Sequence, residues 1–98
     1  MPFDPALPWT LDPQVAIRPE SFGGLAYHFG TRRLSFLKSP ALRDLVLSLA
    51  DHPSAEDAIE AEGIPASERR QYESALGTLA ETGMITARTT NTEAMVAA

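Results

Sequence analysis

The two histidines are the side chains of this chain best suited to acid–base or metal chemistry. His28 lies in the string YHFGTRR and His52 follows the run LSLAD, and the 98 residues include no cysteine. Zinc sites take three or four ligands at characteristic spacings, whereas a predicted helix separates these two residues. His28 also alternates with Tyr27 in a strand pattern, which predicts that His28 faces solvent. We therefore expect no metal site.

Neither the glycines nor the acidic residues complete a catalytic pattern. Gly23 and Gly24 stand as a pair, and the string GTRR lacks the lysine and hydroxyl spacing of a phosphate-binding loop. The acids of EDAIEAE, residues 56–62, lie on a short predicted helix, where solvated carboxylates are the ordinary case. We expect no cofactor and no enzyme activity from this chain.

Charge is distributed unevenly along the sequence. The net charge is −5, yet residues 18–43 hold five basic residues against one acid, and residues 51–82 hold eight acids against two basic residues. Two interpretations stay open: ordinary solvated faces, or a weak steering field for an acidic partner. The start, MPFDPALPW, lacks the basic and apolar regions of a signal peptide, so we expect a soluble, cytoplasmic protein.

The segment that must position any functional residues is a predicted β-hairpin, Tyr27–Leu37, with a turn beginning at Gly30. Glycine would supply a positive φ in this turn. Large apolar residues alternate along both strands, which predicts one buried face; these residues are Leu25, Tyr27, Phe29, Leu34 and Phe36. We expect Leu34 and Phe36 to point into the core. A second alternating run, residues 14–18, extends the hairpin to a three-stranded meander.

After the hairpin the apolar period changes from 2 to 3.6, which predicts three helices. Ser39 with Pro40 begins the first helix, Ser54 begins the second, and the third runs from residues 65–67 to about Thr82. The fold class is α+β, a three-stranded antiparallel sheet followed by three helices. We expect an N-terminal arm over residues 1–12, a domain over 13–86 and a disordered tail over 87–98.

Two segments of the sequence, together with the order of the predicted strands and helices, resemble a known family. VAIRPESFGGLAYHFGTRRLSFLKS, residues 15–39, and LGTLAETGMI, residues 76–85, are similar to the PqqD-like recognition elements, and within them to the peptide chaperones of mycofactocin biosynthesis. The resemblance implies a winged-helix-like domain that binds the leader of a ribosomally made precursor peptide. It also implies that this domain presents the peptide to a radical SAM maturase, which decarboxylates and crosslinks the precursor. We expect a monomer with no nucleic-acid or membrane partner.

The resemblance further implies that the leader adds a strand beside the third strand, in a groove next to the third helix. The last strand of a meander has unpaired backbone groups that can accept such a strand. The strand residues are then Arg33, Leu34, Ser35, Phe36 and Leu37, and the helical residues are Tyr72, Leu76 and Leu79. Such helical stripes are more often core than ligand surface. Arg32, Arg33 and Lys38 could pair with leader acids.

Two alternatives belong to other functional classes. A sheet with three helices also describes a DNA-binding winged helix, although the third predicted helix has only Arg69 and Arg70 among acids, which disfavours groove binding. The second alternative is a structural subunit that binds the maturase and no peptide.

Overall fold

The computed structural model describes residues 3–88. Its elements are β1 Trp9–Leu11, β2 Val15–Glu20, β3 Gly23–His28, β4 Leu34–Leu37, α1 Pro40–Ser48 with a 3-10 turn over Leu49–Asp51, α2 Ala55–Ala61, α3 Ala66–Glu81 and β5 Ile85–Ala87. Strands β2, β3 and β4 form an antiparallel sheet in that order, so the predicted α+β fold is confirmed. None of the helices within residues 3–88 has the length and apolar character that a membrane crossing requires.

Caps predicted from the sequence mark the starts of α1 and α2 and the ends of α2 and α3. Ser39 caps α1, with its Oγ accepting the Leu42 N–H at 3.0 Å, and Ser54 caps α2 by accepting the Asp57 N–H. Gly63 and Gly83 follow α2 and α3 with φ angles of 74° and 80°, the left-handed conformation that glycine adopts most readily. Local sequence signals therefore define the helical half.

A second, two-stranded sheet joins the two ends of the described chain. β1 pairs antiparallel with β5, with Trp9 opposite Ala87 and Leu11 opposite Ile85. This sheet lies partly in the segments expected to be an arm and a tail: Trp9 belongs to the core, and Ala87 belongs to β5. The remainder of the expected tail, residues 89–98, lies outside the described residues.

The prediction of which sheet face is buried was wrong. Leu34 is 54% exposed and Phe36 is 59% exposed, whereas Ala26 and Leu37 lie in the core. α1 packs against β3, and Gly24 and Ala26 on the facing side of β3 allow it to approach closely. The larger alternating residues therefore lie on the outer face of the sheet.

The hairpin turn also differs from its prediction. Arg32, not Gly30, carries the positive φ, at 63°. His28, expected in solvent, is buried, and its Nδ1 accepts the backbone N–H groups of Gly30 and Thr31 at 3.0 Å each. Its Nε2 lies 3.6 Å from a carboxylate oxygen of Asp12. The histidine is buried because it supplies the acceptor that the turn requires.

Candidate functional site

The open side of β4 is the main candidate site. β4 is the last strand of its sheet, and no other strand within residues 3–88 pairs with its second edge. The His28 N–H donates to the Arg33 carbonyl at 3.0 Å, and Ser35 lies opposite Ala26 in the register. Because bonding alternates along an antiparallel ladder, Ser35 and Leu37 direct their backbone groups to β3. The N–H and C=O groups of Leu34 and Phe36 point to the free edge of β4, in the plane of the sheet.

A groove of about 480 Å³ lies between β4 and α3. Residues from β4, the β4–α1 connection, α1 and α3 line it: Ser35, Phe36, Lys38, Ser39, Leu42, Gln71, Tyr72, Ala75, Thr78 and Leu79. Lys38 is the one charged residue among them, and it pairs with no carboxylate of residues 3–88. The groove therefore offers an apolar wall with one cation at its rim.

The structure brings half of the predicted site residues together. Ser35, Phe36, Tyr72 and Leu79 line the groove. The other four do not: Leu37 and Leu76 are fully buried in the core, Leu34 lies on the exposed outer face of the sheet, and Arg33 precedes the first residue of β4. Leu37 and Leu76 can hold the groove in shape, but their side chains are not available to a ligand.

Sequence reasoning missed several lining residues on the α3 side. Gln71, Ala75 and Thr78 share the face of Tyr72 and Leu79, since positions three and four apart are neighbours on a helix. The same helical spacing that identified Tyr72 and Leu79 could have found them. They were not predicted because only large apolar residues on the helix were considered, and these three are polar or small.

The groove lacks the residue types that most often bind metals. No cluster of three or more His, Asp or Glu residues that could hold a metal occurs between residues 3 and 88. The groove lining includes no histidine and no carboxylate. What the arrangement offers is a hydrogen-bonding strand edge above an apolar wall, which is the geometry for binding an extended chain.

A small α+β domain whose β4 edge is unpaired within residues 3–88, beside a largely apolar groove, has the geometry of a peptide-binding protein. This chain belongs to the peptide chaperone MftB family, whose family model matches residues 8–86. The chain is 51% identical over 83 residues to the peptide chaperone MftB of Mycolicibacterium smegmatis, covering 85% of this chain and 81% of the relative. The match predicted from the hairpin strings is therefore confirmed, and a peptide chaperone role follows.

Two further relatives carry the same family name. The peptide chaperone MftB of Mycobacterium ulcerans is 52% identical over 83 residues, covering 85% of this chain and 76% of the relative. That of Mycobacterium tuberculosis is 47% identical over 88 residues, covering 90% of this chain and 81% of the relative. No solved structure matches the chain significantly.

Proposed function

We propose that this chain binds the leader of a ribosomally synthesised precursor peptide as an added strand at β4. It then presents the bound peptide to a radical SAM maturase in mycofactocin biosynthesis, in the cytoplasm and without performing chemistry itself. The observation that carries the proposal is the open edge of β4, where the backbone groups of Leu34 and Phe36 face outward beside the groove.

The ladder geometry defines how a bound strand would sit. Side chains alternate between the two faces of a strand, so leader residues opposite Leu34 and Phe36 would point toward the outer face of the sheet. Their neighbours, opposite Ser35, would point into the groove against Tyr72 and Leu79. The groove-facing leader residues are therefore expected to be apolar, since burying apolar surface contributes about 25 cal/mol per Å².

Charge adds a smaller preference. Lys38 lines the groove without a carboxylate partner within residues 3–88, and it lies in the basic segment 18–43. A leader acid near the end of β4 could pair with it. Such an exposed ion pair contributes roughly 0–1 kcal/mol. It would therefore affect the orientation of the bound strand more than its affinity.

A substitution at Phe36 tests strand addition from the protein side. Phe36→Pro deletes an N–H that points to the free edge, a position where edge strands tolerate proline. Phe36→Ala removes the same ring but keeps the N–H. Isothermal titration with the synthetic leader should show Phe36→Pro binding at least ~10-fold more weakly than Phe36→Ala, since the proline removes one ladder hydrogen bond and obstructs the incoming strand.

The complementary test changes the leader. N-methylation of alternate leader amides should weaken binding with a period of two, because only every second amide bonds to a ladder neighbour. Uniform loss, or equal binding of the two Phe36 variants, would contradict strand addition. A gel shift on random duplex DNA separates the winged-helix alternative, for which tight binding with a steep salt dependence is expected.

A further inference from the structure

The outer face of the β2–β3–β4 sheet carries an apolar surface that the other described residues, within 3–88, leave uncovered. We call it the outer-face patch, and it consists of Phe22, Leu25, Tyr27, Phe29, Leu34 and Phe36. Leu25 lies opposite Phe36, and Tyr27 lies opposite Leu34, in the register of β3 with β4. The rings of Phe22 and Phe36 contact edge to face at 6.1 Å, and those of Tyr27 and Phe29 at 5.2 Å. The patch is therefore continuous across the hairpin.

The exposed area of the outer-face patch is comparable with that of the largest apolar patch on an ordinary monomer. Phe22, Phe29 and Phe36 are 46%, 60% and 59% exposed, so the three rings alone leave on the order of 300 Å² in water, given ~150–250 Å² per aromatic side chain. The largest apolar patch of an ordinary monomer is about 300–600 Å² and is often functional. This single sheet face thus reaches the range of an interaction surface.

The shape of the patch fits a folded partner better than a peptide. A face of three strands spans about 10 Å across, since neighbouring strands lie ~4.8 Å apart. A leader strand added at β4 would reach Leu34 and Phe36 at one margin. Phe29 lies beyond the end of β3 and packs on Tyr27, outside the groove lining. An aromatic-rich face of this kind is typical of the apolar centre of a protein–protein interface.

The charges around the patch specify the partner's chemistry. Arg18 lies on the same face, opposite Leu25 in the register, and its side chain is largely exposed. Arg32 and Arg33 lie in the turn that joins β3 to β4 and are also exposed. Arg18 and Glu20 pair with each other at 2.9 Å and offset each other's charge, so the excess positive charge of the border comes from Arg32 and Arg33. The border is therefore basic in a chain of net charge −5, and stacking two copies face to face would bring like charges together.

We propose that the outer-face patch docks onto a folded protein whose own apolar patch is bordered by carboxylates. The partner is the enzyme that receives the leader-bound peptide, an assignment that rests on the proposed function. The strand edge and the patch share Phe36, so peptide and enzyme bind on adjacent surfaces of one hairpin. The chaperone thereby places the leader at the boundary of the enzyme interface.

Substitutions far from β4 separate the two surfaces. Phe29→Ser removes a ring of the patch without touching the groove, and Leu47→Ser is its matched control because Leu47 is 51% exposed on α1. Binding of each variant to the purified radical SAM maturase, and separately to the synthetic leader, is measured by isothermal titration. Phe29→Ser should weaken maturase binding at least ~10-fold, as loss of an interface aromatic does, and should leave leader affinity within ~2-fold. Leu47→Ser should change neither affinity.

Charge reversal tests the basic border. Arg18→Glu should weaken maturase binding, more so at low salt, whereas Arg70→Glu, an equal charge change on the side of α3 that lies near Phe3, should not. Equal effects of Phe29→Ser and Leu47→Ser would overturn the proposal, as would a wild-type protein that binds the leader but not the maturase. A wild-type protein that fails to bind the leader refutes the proposed function instead, and the maturase titrations remain a separate readout.

A second copy of this chain or a membrane surface could also cover the patch, and each would give a distinct experimental result. Either result would overturn the proposal. Sedimentation would reveal a concentration-dependent dimer that Phe29→Ser dissociates if a second copy covers the patch. Cosedimentation with vesicles of phosphatidylcholine and phosphatidylserine, lost in Phe29→Ser, would assign the patch to a membrane surface.

Discussion

Gly23 holds the start of β3 against the end of β4, and its replacement should destabilise the fold strongly. Its φ angle is 151°, a conformation that residues with a Cβ rarely adopt. A Cβ added at this position would overlap the carbonyl oxygen of Leu37 and lie 2.7 Å from that of Ser39. Both obstacles are backbone atoms where β4 passes into α1, so no side-chain rotation can relieve them.

The expected loss follows from these contacts. A strained φ costs about 1–3 kcal/mol, and moving the Leu37–Ser39 backbone adds to it, so we predict that Gly23→Ala lowers the free energy of unfolding by about 2–4 kcal/mol. Because 1 kcal/mol corresponds to about 4–8 °C in a domain of this size, the Tm should fall by roughly 8–32 °C. Circular dichroism at 222 nm during heating measures it.

Gly24→Ala is the matched control for this prediction. A Cβ at position 24 would lie 3.2 Å from the Arg18 carbonyl oxygen and 3.4 Å from the flexible side chain of Arg43, and Gly24 has no positive φ. We expect a loss below about 1 kcal/mol, within the range of ordinary substitutions. If Gly23→Ala melts within 2–3 °C of Gly24→Ala, on the scale just used, the backbone obstruction does not exist and the placement of β3 on β4 is wrong.

Three further predictions concern the polar contacts that fix the hairpin and the ends of the domain. His28→Leu leaves the two turn N–H groups without an acceptor and should cost about 2 kcal/mol in urea unfolding, whereas His28→Asn, which keeps an acceptor near the Nδ1 position, should cost less; equal losses would contradict this role. Ser39→Ala removes the α1 cap and should cost about 1 kcal/mol in the same assay, and no loss would mean that the cap contributes nothing. Arg88 donates to the carbonyl oxygens of Ala50 and His52, so Arg88→Ala should speed hydrogen exchange in β5 without changing exchange in α2; unchanged exchange in β5 would refute the anchor.

The helices and the meander could be predicted because their signals are local. Ser39 and Ser54 accept N–H groups of the first turns that follow them, and the apolar period changes where β4 gives way to α1. By contrast, β1 and β5 have three residues each and pair across more than seventy positions. No local pattern specifies the pairing of β1 with β5, because the two strands come together only when the core has folded.

The buried face of the hairpin could not be read from alternation alone. A period of two shows that a strand has two different faces, and the larger apolar residues were assigned inward. α1 instead packs over Gly24 and Ala26, where small side chains let the helix approach, and Leu37 completes that layer. A groove does lie beside β4, and the open edge of β4 could be predicted because it depends on strand order and not on which face is buried.

The outward placement of Leu34 and Phe36 gives β4 two functions in the proposed mechanism. Exposed edges are normally protected by short length and charge, and β4 has four residues between Arg33 and Lys38, yet its two outward side chains are apolar. Their backbone groups face the free edge while their side chains face the outer-face patch. Substitution at Phe36 should therefore affect both partners, whereas Tyr72 in the groove and Phe29 on the patch should each affect one. A double-mutant cycle of Tyr72 and Phe29 then shows whether peptide and enzyme bind independently. If the losses of binding free energy in the two single variants add up to the loss in the double variant, the two surfaces act separately. If they do not add, the shared strand couples the two surfaces.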